Sequence, residues 1–489
     1  MIINFNKFVN IGQGSFSPTT PLTILIGNNG VGKTLLLETY TKINDYLLRE
    51  IVRNDFFESI LEKADFEIEL LKTDENIVES DGKFNYKYRS VSDFVIRVKN
   101  SSLILDNYDR NIKEILEKVE DIIKTEVLFT DPNDNVDIIR DFGINLEMDW
   151  CEIFESLVFT IYQDSVVEGM TVSDVEEDEE DDFSFPFLTI NIEEKNSRNS
   201  QGFLVTEEES EANRKQLLSG NFEYLIPRII RAYSSKLESK FLELNSISDI
   251  TYIPSERIVS MSKFLEKQFS SNNYDGLRYS EEKFAKSYTE FKEYFSLSSM
   301  RLKRKKMMLN ESYNKLLGGE PIFNTNGEIT AIKTESGEVI SRSLFSTKQN
   351  KIYPFFLLHS MTSNIFSRRF DSERTIIIEE PEANLSTKSI LEMATYISQL
   401  TDEYKVILST HSDIFLTQLN NEFINKKKLS YMSGYEILEG NELHELRKLS
   451  VNPELGVSSN FISSQLDILY QITTDAQNFA SSNDEIEGY

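Results

Sequence analysis

One cysteine, three histidines and one tryptophan are all that the 489 residues hold of those types. The lone Cys151 excludes an internal disulfide. His359, His411 and His444 compose no H-N-H nuclease pattern. Nowhere does an apolar run reach the roughly 18 residues that a bilayer-spanning helix needs. The opening MIINFNKFVN lacks a basic stretch, an apolar stretch and a cleavage site, so it does not read as a signal peptide. Together these absences predict a protein of the reducing cytoplasm that does not enter a membrane. Positive charge is also scarce, with 52 Lys and Arg against 81 Asp and Glu, a formal net charge of −29. Such a surface repels nucleic-acid phosphates at long range and argues against a general duplex binder, although a local basic track stays open. The hydrophobic share is 39%, below the roughly 45–50% of ordinary globular chains, a figure that counts glycine. That fits a globular head with long solvated helices or loops added.

Two short biased segments stand out. Asp174–Asp182 (DVEEDEEDD) reads as a solvated loop or as an acidic arm that mimics DNA or blocks a basic site. Arg301–Lys306 carries five basic residues in six, and reads as a solvated helix face or as a contact for nucleic acid or an acidic protein.

Along the chain, Met1–Phe8 and Leu22–Ile26 (LTILI) predict strands, and Lys33–Arg49 predicts a helix with Leu36, Tyr40, Ile43 and Leu47 on one face. Strand candidates Phe94–Val98 and Phe187–Ile192 and helices over Ile112–Thr125 and Pro227–Leu244 follow, with Asn196–Gln201 read as a surface loop. Ile250–Ile253 is a short strand. Met261–Leu316 is charged and has few Gly or Pro, which predicts a helical pair or a helical arm, with a coiled arm as one form of it. Between 318 and 341, Asn326-Gly327 and Ser336-Gly337 mark hairpin turns. From 350 to 420 the order is helix, buried strand (Thr375–Ile378), helix (Ser386–Gln399), buried strand (Lys405–Leu408), the pattern of a parallel sheet covered by helices. The predicted fold is α/β: a head made of 1–50, 246–260 and 317–489, with an α+β region inserted at 51–245 and a helical arm at 261–316.

Three motifs carry chemistry. Gly27-Asn28-Asn29-Gly30-Val31-Gly32-Lys33-Thr34 matches G-x-x-x-x-G-K-[ST] between a strand and a helix. Its glycines let backbone N–H groups wrap phosphates, Lys33 reaches the β- and γ-phosphates, and the Thr34 hydroxyl ligates Mg²⁺. The helix that follows points its positive end at the same anion. Next, Ile376-Ile377-Ile378-Glu379-Glu380-Pro381-Glu382 ends a buried strand in carboxylates. Glu379 is suited to the Mg²⁺ side and Glu380 to polarising the attacking water. Finally, Ser409-Thr410-His411-Ser412 follows the next strand and lets His411 reach the γ-phosphate or that water.

In this order the motifs resemble the ABC-type ATPase heads of the SMC and RecF group, and within it the bacterial AAA-like ATPases of OLD-like, Septu-like and PARIS-like phage-defence systems. The resemblance also covers the IINFNKF start, Tyr252-Ile253-Pro254-Ser255-Glu256-Arg257 and Leu316–Glu320 (LLGGE). It spans about 50 N-terminal residues and most of 250–489. It implies ATP and Mg²⁺ as ligands, slow hydrolysis, and a head-to-head dimer or higher oligomer. In such heads a Ser-Ser-Gly-Gln signature touches the γ-phosphate held by the partner. Here that signature falls on Ser346-Thr347-Lys348-Gln349, with Pro354 in the expected place after it. Lys348 replaces the glycine, so its side chain would either obstruct the approach or meet the phosphate with its ammonium. Residues 341–349 also read simply as the end of a hairpin.

About 80 residues follow His411, including a helix near Ser463–Ala476, and they leave no room for the nuclease domain that OLD-like proteins append. The resemblance therefore implies an ATP-driven switch in phage defence that controls a separate effector, such as a nuclease, with a phage protein as trigger. Two alternatives stand beside it: a DNA repair or recombination ATPase of RecF or SMC type, and a weakly hydrolysing nucleotide-bound scaffold.

Overall fold

The computed structural model describes residues 1–53, 55–63, 66–76, 85–98, 101–128, 139–148, 157–168, 187–194, 197–204, 226–256, 277–297, 311–324, 329–361, 374–459, 470–471 and 474. The acidic run, the basic run at 301–306, the turn at 326–327 and Arg257 lie outside the described residues, as does most of the helix expected at 463–476. The chain divides into two units. Among the described residues no helix is long and apolar enough to cross a membrane.

The first unit comprises Met1–Tyr46, Lys118–Leu146 and Asn245–Tyr489. In chain order its main elements are β1 (Leu22–Gly27), α1 (Lys33–Leu48), β2 (Ile250–Ile253), α2 (Tyr279–Leu297), α3 (Glu311–Leu317) and α4 (Thr347–Ile352). There follow β3 (Thr375–Glu379), α5 (Thr387–Leu400), β4 (Lys405–Thr410), α6 (Asp413–Asn425), β5 (Met432–Leu438) and β6 (Glu445–Leu449). The strands form one sheet in the order β2-β3-β4-β1-β5-β6. All neighbours are parallel except β6, which runs antiparallel to β5.

Every residue of β1, β3 and β4 is buried. That is why LTILI, TIII and KVIL are unbroken apolar runs: a parallel strand covered on both faces has no solvent side on which to alternate. On α1 the stripe Leu36, Tyr40, Ile43 and Leu47 is buried as expected. The order also means that β4 lies between β1 and β3. In register, Glu379 pairs with Ser409 and Thr410 pairs with Ile26. The phosphate loop thus ends at one edge of one sheet with two motifs that lie hundreds of residues further along the sequence.

Of the helical pair or arm expected at 261–316, two helices, α2 and α3, are described. Phe284, Ala285 and Tyr288 of α2, with Tyr313, Leu316 and Leu317 of α3, are buried in the same core cluster as Ile24, Ile376, Val406 and Met393. The dense charges between these apolar positions disguised a core-facing stripe as a solvated helix. The hairpin region forms a three-stranded antiparallel sheet of Glu320–Phe323, Ile329–Lys333 and Val339–Ser341. Its turn at Ser336-Gly337 places Gly337 at φ +86°.

The expected insertion at 51–245 is also corrected. Lys118–Leu146 belongs to the first unit, where Gly143–Asn145 pairs with Ile2–Asn4. Three residues are too few to show a strand period. The second unit, Leu47–Glu117 with Glu147–Leu244, holds a five-stranded antiparallel sheet. Its order is Ser197–Leu204, Phe187–Glu194, Leu157–Glu168, Asn85–Val98, Phe66–Asn76. Asn196–Gln201, read as a loop, mostly falls in the first of these strands. A polar stretch gives no hydrophobic alternation, yet it is carried by the backbone ladder of its neighbour. Within this unit Phe56, Phe57, Tyr108 and Phe241 form edge-to-face aromatic pairs.

Candidate nucleotide site

The loop from Gly27 to Lys33 joins β1 to α1. At two positions a side chain is excluded by what lies next to it. A Cβ on Gly27 would come within 2.9 Å of the Ile437 carbonyl oxygen, and one on Gly32, at φ +100°, within 2.9 Å of Asn10 Oδ1. Gly30, by contrast, faces open space. Asn29 and Gly30 are exposed and Val31 is buried, so the loop presents its crest outward and anchors its far side. Asn28 Nδ2 donates to Glu439 Oε1 at 2.9 Å. The Lys33 ammonium is buried and donates to the carbonyls of Gly27 and Asn28, each at 2.8 Å. Burial lowers its pKa, opposed by the nearby charges of Glu380, Glu382 and Glu379.

Thr34 and Glu379 meet: the Thr34 hydroxyl hydrogen-bonds the Glu379 carboxylate. Two further donors hold Glu379, the Tyr252 hydroxyl on Oε1 and the Ser255 N–H on Oε2 at 3.2 Å. Burial raises the pKa of Glu379 above the ordinary carboxylate value, and these donors act against the rise. One turn beyond Thr34 on α1, the buried Glu38 accepts from the Ser280 N–H at 3.2 Å and from the Ser280 hydroxyl at 2.5 Å.

Glu380 sits one residue past β3 at φ +40°, a left-handed conformation that costs a non-glycine residue about 1–3 kcal/mol. Its N–H donates to the Ser409 carbonyl at 3.0 Å, which holds the chain in that turn against β4. Its carboxylate Oε1 lies 3.2 Å from His411 Nδ1, an ion-pair contact without the alignment of a directed hydrogen bond. The Glu380 carboxylate raises the His411 pKa, against partial burial and the Lys33 charge that lower it.

Glu382, to which sequence reasoning gave no role, binds the two loops together. Its Oε1 accepts from the Thr410 hydroxyl at 2.6 Å and the His411 N–H at 3.3 Å, while its buried Oε2 has no hydrogen-bond partner among the described residues. Burial raises its pKa.

Lys33, Thr34, Glu379, Glu380 and His411 are therefore brought together as the motifs implied. Tyr252, Ser255, Thr410 and Glu382 were missed as functional groups. The only signal for the first two was the Tyr252–Arg257 segment, which carries no chemistry of its own in sequence. Ser346 and Lys348 have other partners. Ser346 caps α4 reciprocally with Gln349: its hydroxyl accepts from the Gln349 N–H at 3.3 Å, and its own N–H donates to Gln349 Oε1 at 2.8 Å. Lys348 Nζ lies 3.0 Å from Glu392 on α5. None of these contacts reaches the phosphate-loop group.

Among the described residues no three His, Cys, Asp or Glu side chains converge as a metal cage. The hydroxyl of Thr34 beside one carboxylate is instead the hard-oxygen pair that Mg²⁺ takes when phosphates and water complete its shell. Glycines that a Cβ could not replace, a buried lysine and this oxygen pair fit a magnesium–nucleotide ligand.

No family model matches the chain, and neither does any curated protein. Among solved structures it is similar to an Smc head bound to the C-winged helix domain of ScpA, at 13% identity over 92% of this chain and 98% of that one, with a TM-score of 0.30. It is also similar to the SMC head domain from Thermotoga maritima, at 9% identity over 92% and 98%, with a TM-score of 0.29. A third is an Smc head domain with an extended coiled coil, bound to the C-terminal domain of ScpA derived from Pyrococcus furiosus, at 11% identity over 96% and 98%, with a TM-score of 0.28. Likenesses this weak assign no function to the chain.

Proposed function

We propose that this chain binds ATP with Mg²⁺ at Gly27–Thr34 and hydrolyses it slowly, as an ATP-driven switch. The observation that carries this reading is the meeting of the phosphate loop, the Thr34–Glu379 pair and the Glu380–His411 pair at one edge of the parallel sheet. Edges of this kind, at the carboxyl ends of parallel strands, are where α/β sheets bind ligands.

In this reading the loop N–H groups and Lys33 hold the β- and γ-phosphates. Lys33 gives up its loop carbonyls for phosphate oxygens. Thr34 and Glu379 hold the Mg²⁺, which when bound neutralises charge on the phosphate oxygens. Glu380 accepts a proton from the attacking water as its oxygen bonds to the γ-phosphorus and the bridging P–O bond breaks, leaving ADP and phosphate. With Nδ1 turned to Glu380, Nε2 is the ring nitrogen of His411 that would donate toward the γ-phosphate. Glu382 fixes the Thr410 hydroxyl and the His411 backbone, tying the end of β4 to the loop after β3.

Motif resemblance supports placing this switch in phage defence, as a head-to-head dimer or larger assembly that controls a separate effector. In such a dimer Ser346 and Lys348 face the partner's γ-phosphate. The −29 charge disfavours the repair-type alternative, which needs a basic track along duplex DNA.

The test is Glu380→Gln, which keeps size and removes the base. Positioned general bases contribute about 10²–10⁴-fold. Turnover should fall by that factor while bound ATP persists and light scattering reports a larger particle. Turnover within a few-fold of wild type would sink the assignment.

A further inference from the structure

Lys351 is a buried cation that the reading above does not use. It lies on α4, with only a small fraction of its side chain exposed. Its neighbours Ile352 and Tyr353 are packed in the core of the first unit. An ammonium there costs desolvation that an aliphatic side chain would avoid. What it receives in return is modest: its Nζ donates to the Ser255 carbonyl at 3.2 Å and lies 3.6 Å from the mostly exposed Glu256 carboxylate.

The value of that contact lies in what Ser255 does with its other end. The same residue donates its N–H to Oε2 of Glu379. Ser255 is two residues past the end of β2, beyond the reach of the β2–β3 ladder that ends at Ile253 and Ile378. Sheet pairing therefore does not fix the two peptide groups that flank Ser255. Lys351 holds the following one by its carbonyl and Glu379 the preceding one by its N–H. Three residues back along α4, Lys348 turns outward to Glu392 on α5, and Ser346 caps the exposed end of the helix. A continuous chain of contacts thus runs from the metal-side carboxylate through the Ser255 backbone and Lys351 to the helix whose outer end carries Ser346 and Lys348.

We propose that Lys351 is a positioning residue for Glu379, acting through Ser255, and that this chain couples the metal side of the nucleotide site to α4. The proposal rests on the reading of Thr34 and Glu379 as the Mg²⁺ side. Loss of the Lys351 amine frees the peptide after Ser255 to turn, and rotation about the Ser255 Cα lets its N–H swing away from Glu379. Glu379 then loses one of its three donors and its fixed orientation, while the phosphate loop is untouched.

The experiment measures binding of a fluorescent ATP analogue to the full chain, first in EDTA and then during a Mg²⁺ titration. The proteins compared are wild type, Lys33→Ala, Lys351→Met and Lys351→Arg. Outer partners of a metal site are worth about 10–100-fold in metal affinity. Lys351 acts one step further out, so Lys351→Met should raise the Mg²⁺ concentration for half-maximal response by about 10-fold, the lower end of that range. Affinity for the analogue in EDTA should stay at the wild-type value. A general loosening of the fold would weaken both. Lys351→Arg, which keeps a cation on the Ser255 carbonyl, should restore the wild-type Mg²⁺ response. Lys351→Gln replaces Lys351→Met if the latter does not fold, with the same expectation. A wild-type Mg²⁺ response in Lys351→Met overturns the proposal, and so does an equal defect in Lys351→Arg. Wild-type protein without Mg²⁺-dependent binding, or Lys33→Ala with undiminished binding, overturns the nucleotide reading itself and the proposal with it.

Discussion

Removing Glu382 should loosen the ends of β3 and β4 far more than neutralising it. In wild type one oxygen, Oε1, accepts from a buried hydroxyl and from a backbone N–H. Glu382→Ala leaves the Thr410 hydroxyl and the His411 N–H without their acceptor. A buried donor left unsatisfied costs about 1–3 kcal/mol. The Thr410 oxygen still accepts from the Ser412 N–H at 3.0 Å, and the removed carboxylate was itself desolvated, with an unpartnered Oε2. The net local cost should then be about 2–4 kcal/mol. Glu382→Gln keeps an amide oxygen in the place of Oε1 and should stay within about 1 kcal/mol of wild type. Because the chain has two units, a single unfolding transition is a poor gauge. Native-state hydrogen exchange resolves local opening instead. The amides of Glu380 and His411 are the probes, one bonded to the Ser409 carbonyl and the other to Glu382. At 1.4 kcal/mol per tenfold, the alanine variant should exchange there about 30- to 700-fold faster, and the glutamine variant less than about tenfold faster. Wild-type protection at both amides in Glu382→Ala would refute the bridging role.

His411 has a folded pKa above its ordinary 6.5 because of Glu380. The ion pair therefore stabilises fully at pH below 6.5 and is lost as pH rises through the folded value. The local opening free energy at the Glu380 amide, from native-state hydrogen exchange, should differ most between wild type and His411→Gln on the acid side and converge as pH rises, and a gap that widens with pH would reverse the sign. Tyr252→Phe removes a donor from a buried carboxylate, which is worth about 1.5–3 kcal/mol. Native-state hydrogen exchange at the Ser255 and Glu380 amides should show a local loss of that size, and wild-type protection there would mean that Tyr252 does not hold Glu379. Lys348→Ala breaks only a partly exposed ion pair, so stability should change by no more than about 1 kcal/mol. Steady-state ATP turnover should rise if the side chain obstructs a partner head, and a marked fall would make the lysine a cation acting in trans.

The parts of this site that were legible in sequence are those built from local runs. LTILI, TIII and KVIL announce buried parallel strands, and the glycines of the loop mark positions where a side chain would strike Ile437 or Asn10. The carboxylates and His411 were found because each closes such a strand. What was not legible depends on which strands are neighbours. Ser255 and Tyr252 serve Glu379 only because β2 lies beside β3, and no local pattern states that pairing. Lys351 reads in sequence as one more surface lysine, yet α4 buries it. The same limit hid the core faces of α2 and α3, whose apolar stripe is diluted by Lys and Glu. Gly143–Asn145 and Ser197–Leu204 escaped because one is too short for a period and the other too polar. Residues 341–349 were also readable as the end of a hairpin, and the cap that Ser346 forms on α4, with reciprocal hydrogen bonds to Gln349, was not foreseen.

The most direct test of the nucleotide site is calorimetric titration of ATP with Mg²⁺ into the wild-type chain and into Lys33→Ala. Lys33 is the buried cation that contacts the loop carbonyls and lies within the electrostatic reach of Glu379, Glu380 and Glu382. Wild type should show saturable binding at one site per chain, and Lys33→Ala should lose it while keeping the wild-type melting behaviour. Equal affinity in the two proteins, or no binding by wild type, would contradict the site.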